Sequence, residues 1–251
     1  MGTLHAQRSG SLLTLTLNNP GKANALDFDI LHELERQIEA VELDAGVRVL
    51  LLRGTPGGTF SSGADVGQWA PLNPHQFARD WIDYGNRIFD RFERLRCPTV
   101  AAVEGVCFGG GLELALCADL RVAASGAVFR FPEVGIGAIP GWQGGPRLAR
   151  LAGRGRALEA VLTMCALDTQ RASDWGLVNA VWTPDVFEQE LAGLLQRLAC
   201  VSPHAAALAK EAVLWGAEPG EFHAAAGAEI KGSADAAIGL HAFLNKSKPV
   251  F

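Results

Sequence analysis

VEGVCFGGGLELALCAD, running from Val103 to Asp119, decides how the rest of the chain is read. The apolar run that leads into it, Thr99 to Val103 (TVAAV), has the length and composition of a buried strand. Gly109, Gly110 and Gly111 follow, and then an apolar helical pattern through Leu112, Leu114, Ala115 and Leu116. The predicted order is strand, glycine turn, helix start. Backbone N–H groups in the first turn of a helix lack intrahelical partners and carry the positive end of its dipole. Glycines let a substrate approach that backbone closely. Glu113 lies one helical turn beyond Gly110, on the same face. Free N–H groups and a carboxylate therefore point into one space. That suits a carbonyl oxygen gaining negative charge beside a group that moves a proton. The same residues also fit a tight packing turn with a solvated glutamate, and this stretch alone does not separate the two.

Outward from the motif, the chain repeats strand–helix–strand units. Leu12 to Leu17 (LLTLTL) alternates like a half-buried strand, and Asn18-Asn19-Pro20-Gly21 forms a turn. Lys22 and Asn24 lie in the loop before a helix that Asp27 caps and that Ile30, Leu31, Leu34, Ile38 and Val41 stripe. Val47 to Leu52 reads as a strand buried on both faces, so the unit is a right-handed crossover. The loop GTPGGTFSSGADV, residues 54–66, lies just past the carboxyl end of that strand, where α/β sheets bind ligands. Gly63 and Ala64 can expose backbone N–H groups there. Residues 74–96 read as one long helix, and Trp69, Trp81 and Tyr84 line an apolar pocket or fill the core. Leu120 to Ala124 and Ala127 to Phe131 read as short strands. Glu133 follows Pro132 in a long irregular loop that ends where Pro146 opens a helix. Burial would raise the pKa of that carboxylate. Beyond Leu148 helices dominate, over about 154–166, 170–175, 184–200, 203–215 and 220–244, with Gly176 to Trp182 as one extended piece. The Ala-rich stretch 205–237 suits helices packed on helices, in this chain or in a neighbouring subunit.

Composition sets bounds and no more. The 251 residues are 49% hydrophobic and 20% charged, with a net charge of −5, so nothing favours nucleic acid or an anionic membrane as a partner. There is no apolar run of about eighteen residues, and the opening MGTLHAQRSG lacks an apolar core, so neither a spanning helix nor a signal peptide is expected. Cys97, Cys107, Cys117, Cys165 and Cys200 are scattered, without metal-ligand or disulfide spacing, and a cytoplasmic setting is expected.

With these motifs laid out, the chain resembles the crotonase superfamily, also called the enoyl-CoA hydratase/isomerase family. The resemblance spans NNPGKANAL (18–26), FSSGADV (60–66), VEGVCFGGGLELALCAD (103–119), FPEVGIGAIPGWQGG (131–145), ASDWGLVNAVW (172–182) and AFLNKSKPVF (242–251). It implies an α/β fold, a crotonase-like spiral of ββα units over 1–190, and a helical C-terminal oligomerisation region over 191–251. It also implies a homotrimer or a dimer of trimers. The substrate implied is an acyl-CoA thioester whose carbonyl oxygen sits between the N–H groups of Ala64 and Gly110. The superfamily runs several reactions on this anchor. Both glutamates of the hydrating members are present here, as Glu113 and Glu133, so the expected reaction is addition of water to a 2-enoyl-CoA. Double-bond isomerisation, or a catalytically idle acyl-CoA-binding homologue, are the alternatives. No cofactor or metal is expected beyond the coenzyme A of the substrate. Asp65, Trp69 and Gly109 are expected beside the substrate. Gly67-Gln68 stands where a lysine often helps hold the CoA phosphates, leaving Lys22, Lys246 and Lys248 to serve. Trp142-Gln143 stands where many hydratases carry small residues, and Trp142 is expected to border the acyl end of the site.

Overall fold

The computed structural model describes residues 1–215 and 219–251. Among the described residues, nine strands build two sheets. They are β1 (Thr3–Ser9), β2 (Leu12–Asn18), β3 (Val49–Arg53), β4 (Thr99–Val103), β5 (Val106–Phe108), β6 (Leu120–Ala124), β7 (Val128–Arg130), β8 (Leu167–Asp168) and β9 (Ala180–Trp182). The larger sheet has the order β1-β2-β3-β4-β6-β9 and is parallel from β2 onward; β1 closes its edge as an antiparallel hairpin with β2. The smaller sheet has the order β5-β7-β8. Each turn of the chain gives one strand to each sheet and then a helix: β4, β5 and Gly110–Ala115, then β6, β7 and Gly144–Ala152. That is the expected spiral of ββα units.

The period of two along a strand explains the layering. Leu50, Leu52, Ala101, Val103 and Ala123 face a core shared with helices Phe28–Leu43 and Tyr84–Glu93. Val49, Leu51, Val100, Ala102, Val122 and Ala124 face the other way, onto Phe187, Leu191 and Leu195 of helix Pro184–Ala199. The expected boundary at 190/191 falls inside this helix.

Other expectations shift locally. Leu120–Ala124 and Val128–Arg130 are strands, but of different sheets. The 74–96 helix contains a π-helical segment, Phe77–Asp83, before Tyr84–Glu93. The carbonyl of Trp81 in that segment also accepts the indole N–H of Trp142, at 3.1 Å. The helix expected over 220–244 is two, Pro219–Lys231 and Ala234–Leu244, because the Ser233 hydroxyl accepts from the Ala236 N–H and caps the second. Residues 216–218 of the Ala-rich stretch lie outside the described residues.

Helix Pro203–Trp215 docks at the amino ends of the parallel strands. The Lys210 ammonium pairs with Asp119, just before β6, at 2.9 Å. The terminal carbonyl of Phe251 accepts from Arg48, just before β3. The carboxyl ends of the same strands are left to the loops that form the site.

Candidate active site

Two loops meet at the start of helix Gly110–Ala115. The loop after β3 crosses to the smaller sheet, where Ser61 bridges to Cys107, and Ala64 bridges to Leu26. The loop after β5 turns at Gly109, whose φ of +47° is the left-handed conformation that favours glycine. The N–H groups of Ala64 and Gly110 end up side by side: a Cβ added at Gly110 would sit 3.2 Å from the Ala64 nitrogen. Neither N–H donates to any protein group among the described residues. The structure thus brings together the two donors that the sequence singled out. Lys22 and Asp65 flank them as an ion pair at 2.5 Å, with the lysine more than half exposed. Asp65 also caps the short helix Val66–Trp69 by accepting from the Gly67 N–H. Asn24, which the sequence placed in the Lys22 loop without a role, tethers the region. Its carboxamide donates to the Thr59 carbonyl and accepts from the Asn19 N–H, stapling the Lys22 loop to the Ala64 loop.

Glu113 lies beneath this pair, only 2% exposed. Its Oε1 accepts two backbone hydrogen bonds, from the N–H groups of Trp142 and Gly144, each 2.8 Å. Burial pushes its pKa up to about 8 against the two amide contacts, and the neighbouring Glu133 adds to the rise. Glu133 opens the short turn Glu133–Ile136, and its Oε1 faces Gly109, where an added Cβ would approach it to 2.7 Å. Its other oxygen, Oε2, is buried and has no hydrogen-bond partner among the described residues. Burial raises this carboxyl to about 7. Two carboxyls with raised proton affinity therefore flank two free N–H groups. The two carboxyls are close enough to titrate as a pair near neutral pH. Burial gives Glu113 the higher proton affinity, so the reactive form is reached when its proton passes to Glu133: two N–H donors then hold the charge of Glu113, and the otherwise unpartnered Oε2 carries the proton.

Two sequence expectations change, those for Trp142 and for the terminal lysines. The Trp142 indole does not line an open pocket; it is 1% exposed, packed against Trp81 and Phe89 with ring centroids 5.2 and 5.1 Å away. Its ring backs Gly110, where an added Cβ would come within 2.6 Å of Cζ3. Trp142 meets the site through its backbone N–H instead. Trp69, expected beside the substrate, is half-buried and packs on Phe77 with centroids 5.3 Å apart, which leaves part of it exposed. Lys246 and Lys248 are not brought to this site within one chain. They follow helix Ala234–Leu244 in the tail that ends at Arg48, at the amino side of the sheet.

The comparisons with known proteins agree with this geometry. The family model for enoyl-CoA hydratase/isomerase matches residues 7–251. The chain is 34% identical over 250 residues to a crotonyl-CoA hydratase of Syntrophomonas wolfei, covering 98% of this chain and 96% of the relative. It is 35% identical over 207 residues to a short-chain-enoyl-CoA hydratase of Clostridium acetobutylicum, covering 82% and 79%. The crystal structure of an enoyl-CoA hydratase from Bacillus anthracis superposes with a TM-score of 0.94 at 30% identity, covering 99% of this chain and 98% of that one.

Proposed function

The chain belongs to the enoyl-CoA hydratase/isomerase family, and we propose that it adds water across the double bond of a 2-enoyl-CoA thioester to give the 3-hydroxyacyl-CoA. It is an enzyme of the hydro-lyase type. The observation that carries this reading is the pair of raised carboxyls, Glu113 and Glu133, set against two unpartnered backbone N–H groups. Ala64 and Gly110 hold the thioester oxygen as it gains enolate charge; one such donor is worth about 3–4 kcal/mol of barrier. Glu113 takes a proton from water as the oxygen bonds to the β-carbon. Glu133 gives its proton to the α-carbon. One proton then passes between the two carboxyls and restores the starting state, so the cycle uses no cofactor.

Lys22 is the cation of the chain best placed to meet the CoA phosphates. The working assembly is a trimer or a pair of trimers, supported by exposed Val213, Leu240, Phe243 and Leu244 on the C-terminal helices. Five free cysteines suit the cytoplasm, and no helix among the described residues is long and apolar enough to cross a membrane.

The test is loss of crotonyl-CoA absorbance on adding the protein, with the product gaining the mass of one water. A panel of 3-enoyl-CoA thioesters run alongside separates hydration from isomerisation. A protein that only moves the double bond ends the hydratase reading.

A further inference from the structure

Glu113 is oriented by a turn, and the turn is gripped from behind. The two N–H groups on Oε1 belong to Trp142 and Gly144, on either side of Gln143, which holds a left-handed φ of +64°. A non-glycine residue there stores strain and persists only where its surroundings fix it. The carbonyls of the turn show what fixes it. The Asn86 carboxamide donates to the Gly141 carbonyl at 3.1 Å. That carbonyl shares a peptide group with the Trp142 N–H, so one plane is held by Asn86 on one edge and by Glu113 on the other. Arg147 donates from Nη1 to the Trp142 carbonyl at 2.6 Å, and its backbone N–H donates to the Gln143 carbonyl at 3.1 Å. The latter carbonyl shares its peptide group with the Gly144 N–H.

Arg147 is itself anchored, at 2% exposure. Its Nε donates to Glu93 at 3.0 Å and its Nη2 to Asp90 at 2.7 Å, both on helix Tyr84–Glu93. Arg150, on its own helix, shares Glu93 at 2.7 Å. The groups that bear electrostatically on Glu113 are Glu133 and Arg147, and Cys117 donates its thiol to the Glu113 carbonyl. A planar guanidinium with several donors suits a fork of this kind; a lysine reaches one acceptor as a point charge.

We propose that Arg147 and Asn86 are positioning residues. From helix Gly144–Ala152 and helix Tyr84–Glu93 they clamp the outer edge of the 141–144 turn, so that its inner edge presents two N–H groups to Oε1. Glu113 then keeps its other oxygen toward the reacting water. This rests on the hydratase reading for its kinetic consequence, but the clamp acts on a carboxyl that can be observed directly.

The experiment compares Arg147→Lys and Asn86→Ala with the parent. kcat and KM for crotonyl-CoA hydration are measured across pH, beside a titration of 13C-labelled glutamate carboxyls by NMR, with Glu113→Gln identifying the signal. Misplacing the base lowers kcat by about tenfold to a hundredfold and leaves KM within about twofold. The base limb of kcat and the Glu113 titration both move to higher pH, because weaker amide contacts stabilise the ionised form less. A merely structural role lowers thermal stability and leaves both titrations where they are; that outcome, or parent kcat in both folded variants, overturns the proposal. If Arg147→Lys does not fold, Asn86→Ala decides on the same criteria. A parent that hydrates nothing sinks the hydratase reading alone, and the NMR titration still decides the clamp.

Discussion

Replacing Glu113 by glutamine should make the protein more stable at pH 8 while nearly abolishing its activity. The side chain is buried and its proton affinity is raised from 4.5 to about 8, chiefly by burial. Well below pH 4.5 the carboxyl is protonated in the folded and unfolded chains alike, and the burial penalty is absent. As pH rises from 4.5 toward about 8, the unfolded chain ionises and the folded one does not, so folding stability falls; above about 8 both ionise and the fall stops. Between pH 5 and pH 8 this single group removes stability on the order of 3–4 kcal/mol, from 1.36 kcal/mol per pKa unit. Glutamine keeps an oxygen for the Trp142 and Gly144 N–H groups and has no charge to bury. Urea denaturation of parent and Glu113→Gln at both pH values reads the effect as a difference between two proteins that are otherwise the same, a difference that includes the coupling of Glu113 to Glu133. The stability advantage of the variant should grow by that amount from pH 5 to pH 8. The same variant should lose at least about a hundredfold in kcat for crotonyl-CoA, the usual scale for a general acid–base group. A stability difference that stays constant with pH would refute the reasoning, because it would mean that the carboxyl ionises as easily inside the protein as outside.

Glu133→Gln should also lower kcat by about a hundredfold in the crotonyl-CoA absorbance assay, as expected for loss of the proton delivered to the α-carbon. The parent kcat/KM should follow a bell with limbs near pH 7 and 8, falling below as both carboxyls hold protons and above as both lose them, which a stopped-flow pH series reads directly. Lys22→Ala should raise KM for CoA thioesters and flatten its dependence on ionic strength, with kcat little changed. Gly85→Ala should cost about 1–3 kcal/mol by overpacking, seen as a lower melting temperature, because the added Cβ would lie 2.2 Å from the Trp142 indole nitrogen.

What the sequence made legible was the part of the site that is contiguous in the chain. Gly109, Gly110 and Glu113 stand within one helical turn, so their joint geometry follows from helix periodicity alone, and the structure has it. Ala64 was legible for a related reason: a run of small residues past a buried strand leaves backbone exposed. The partners of Glu113 were not legible, because they are backbone N–H groups at 142 and 144 and any residue type carries those. Arg147, Asp90 and Glu93 went unread as well. The signal was there in Asp90 and Glu93, charges flanking Phe89 and Phe92 in a segment otherwise read for its apolar stripe. Lys246 and Lys248 were assigned by motif. Their position depends on where the Ala-rich helix Pro203–Trp215 docks, and a helix whose apolar residues form no marked stripe states no direction.

Trp142 is where sequence and structure differ most, and the difference bears on the chemistry. A large aromatic residue in an irregular loop reads as the wall of a pocket. Whether it can instead turn inward depends on Gly85 and Gly110, which lie on two other elements and leave the space the indole fills. Once inside, it acts on Glu113 in two opposing ways. The ring helps shut water out from behind the carboxylate, which raises its proton affinity. The backbone N–H of the same residue donates to Oε1, which lowers it. Gln143 and Arg147 set how well that N–H is aimed. The proton affinity that lets Glu113 exchange a proton near neutral pH is therefore a balance of burial, to which the Trp142 ring contributes, against the Gly144 and Trp142 N–H groups, with Glu133 adding to the rise. A smaller residue at 142 would keep the N–H and lose the exclusion, moving Glu113 toward the ordinary carboxylate range without touching the carboxylate itself.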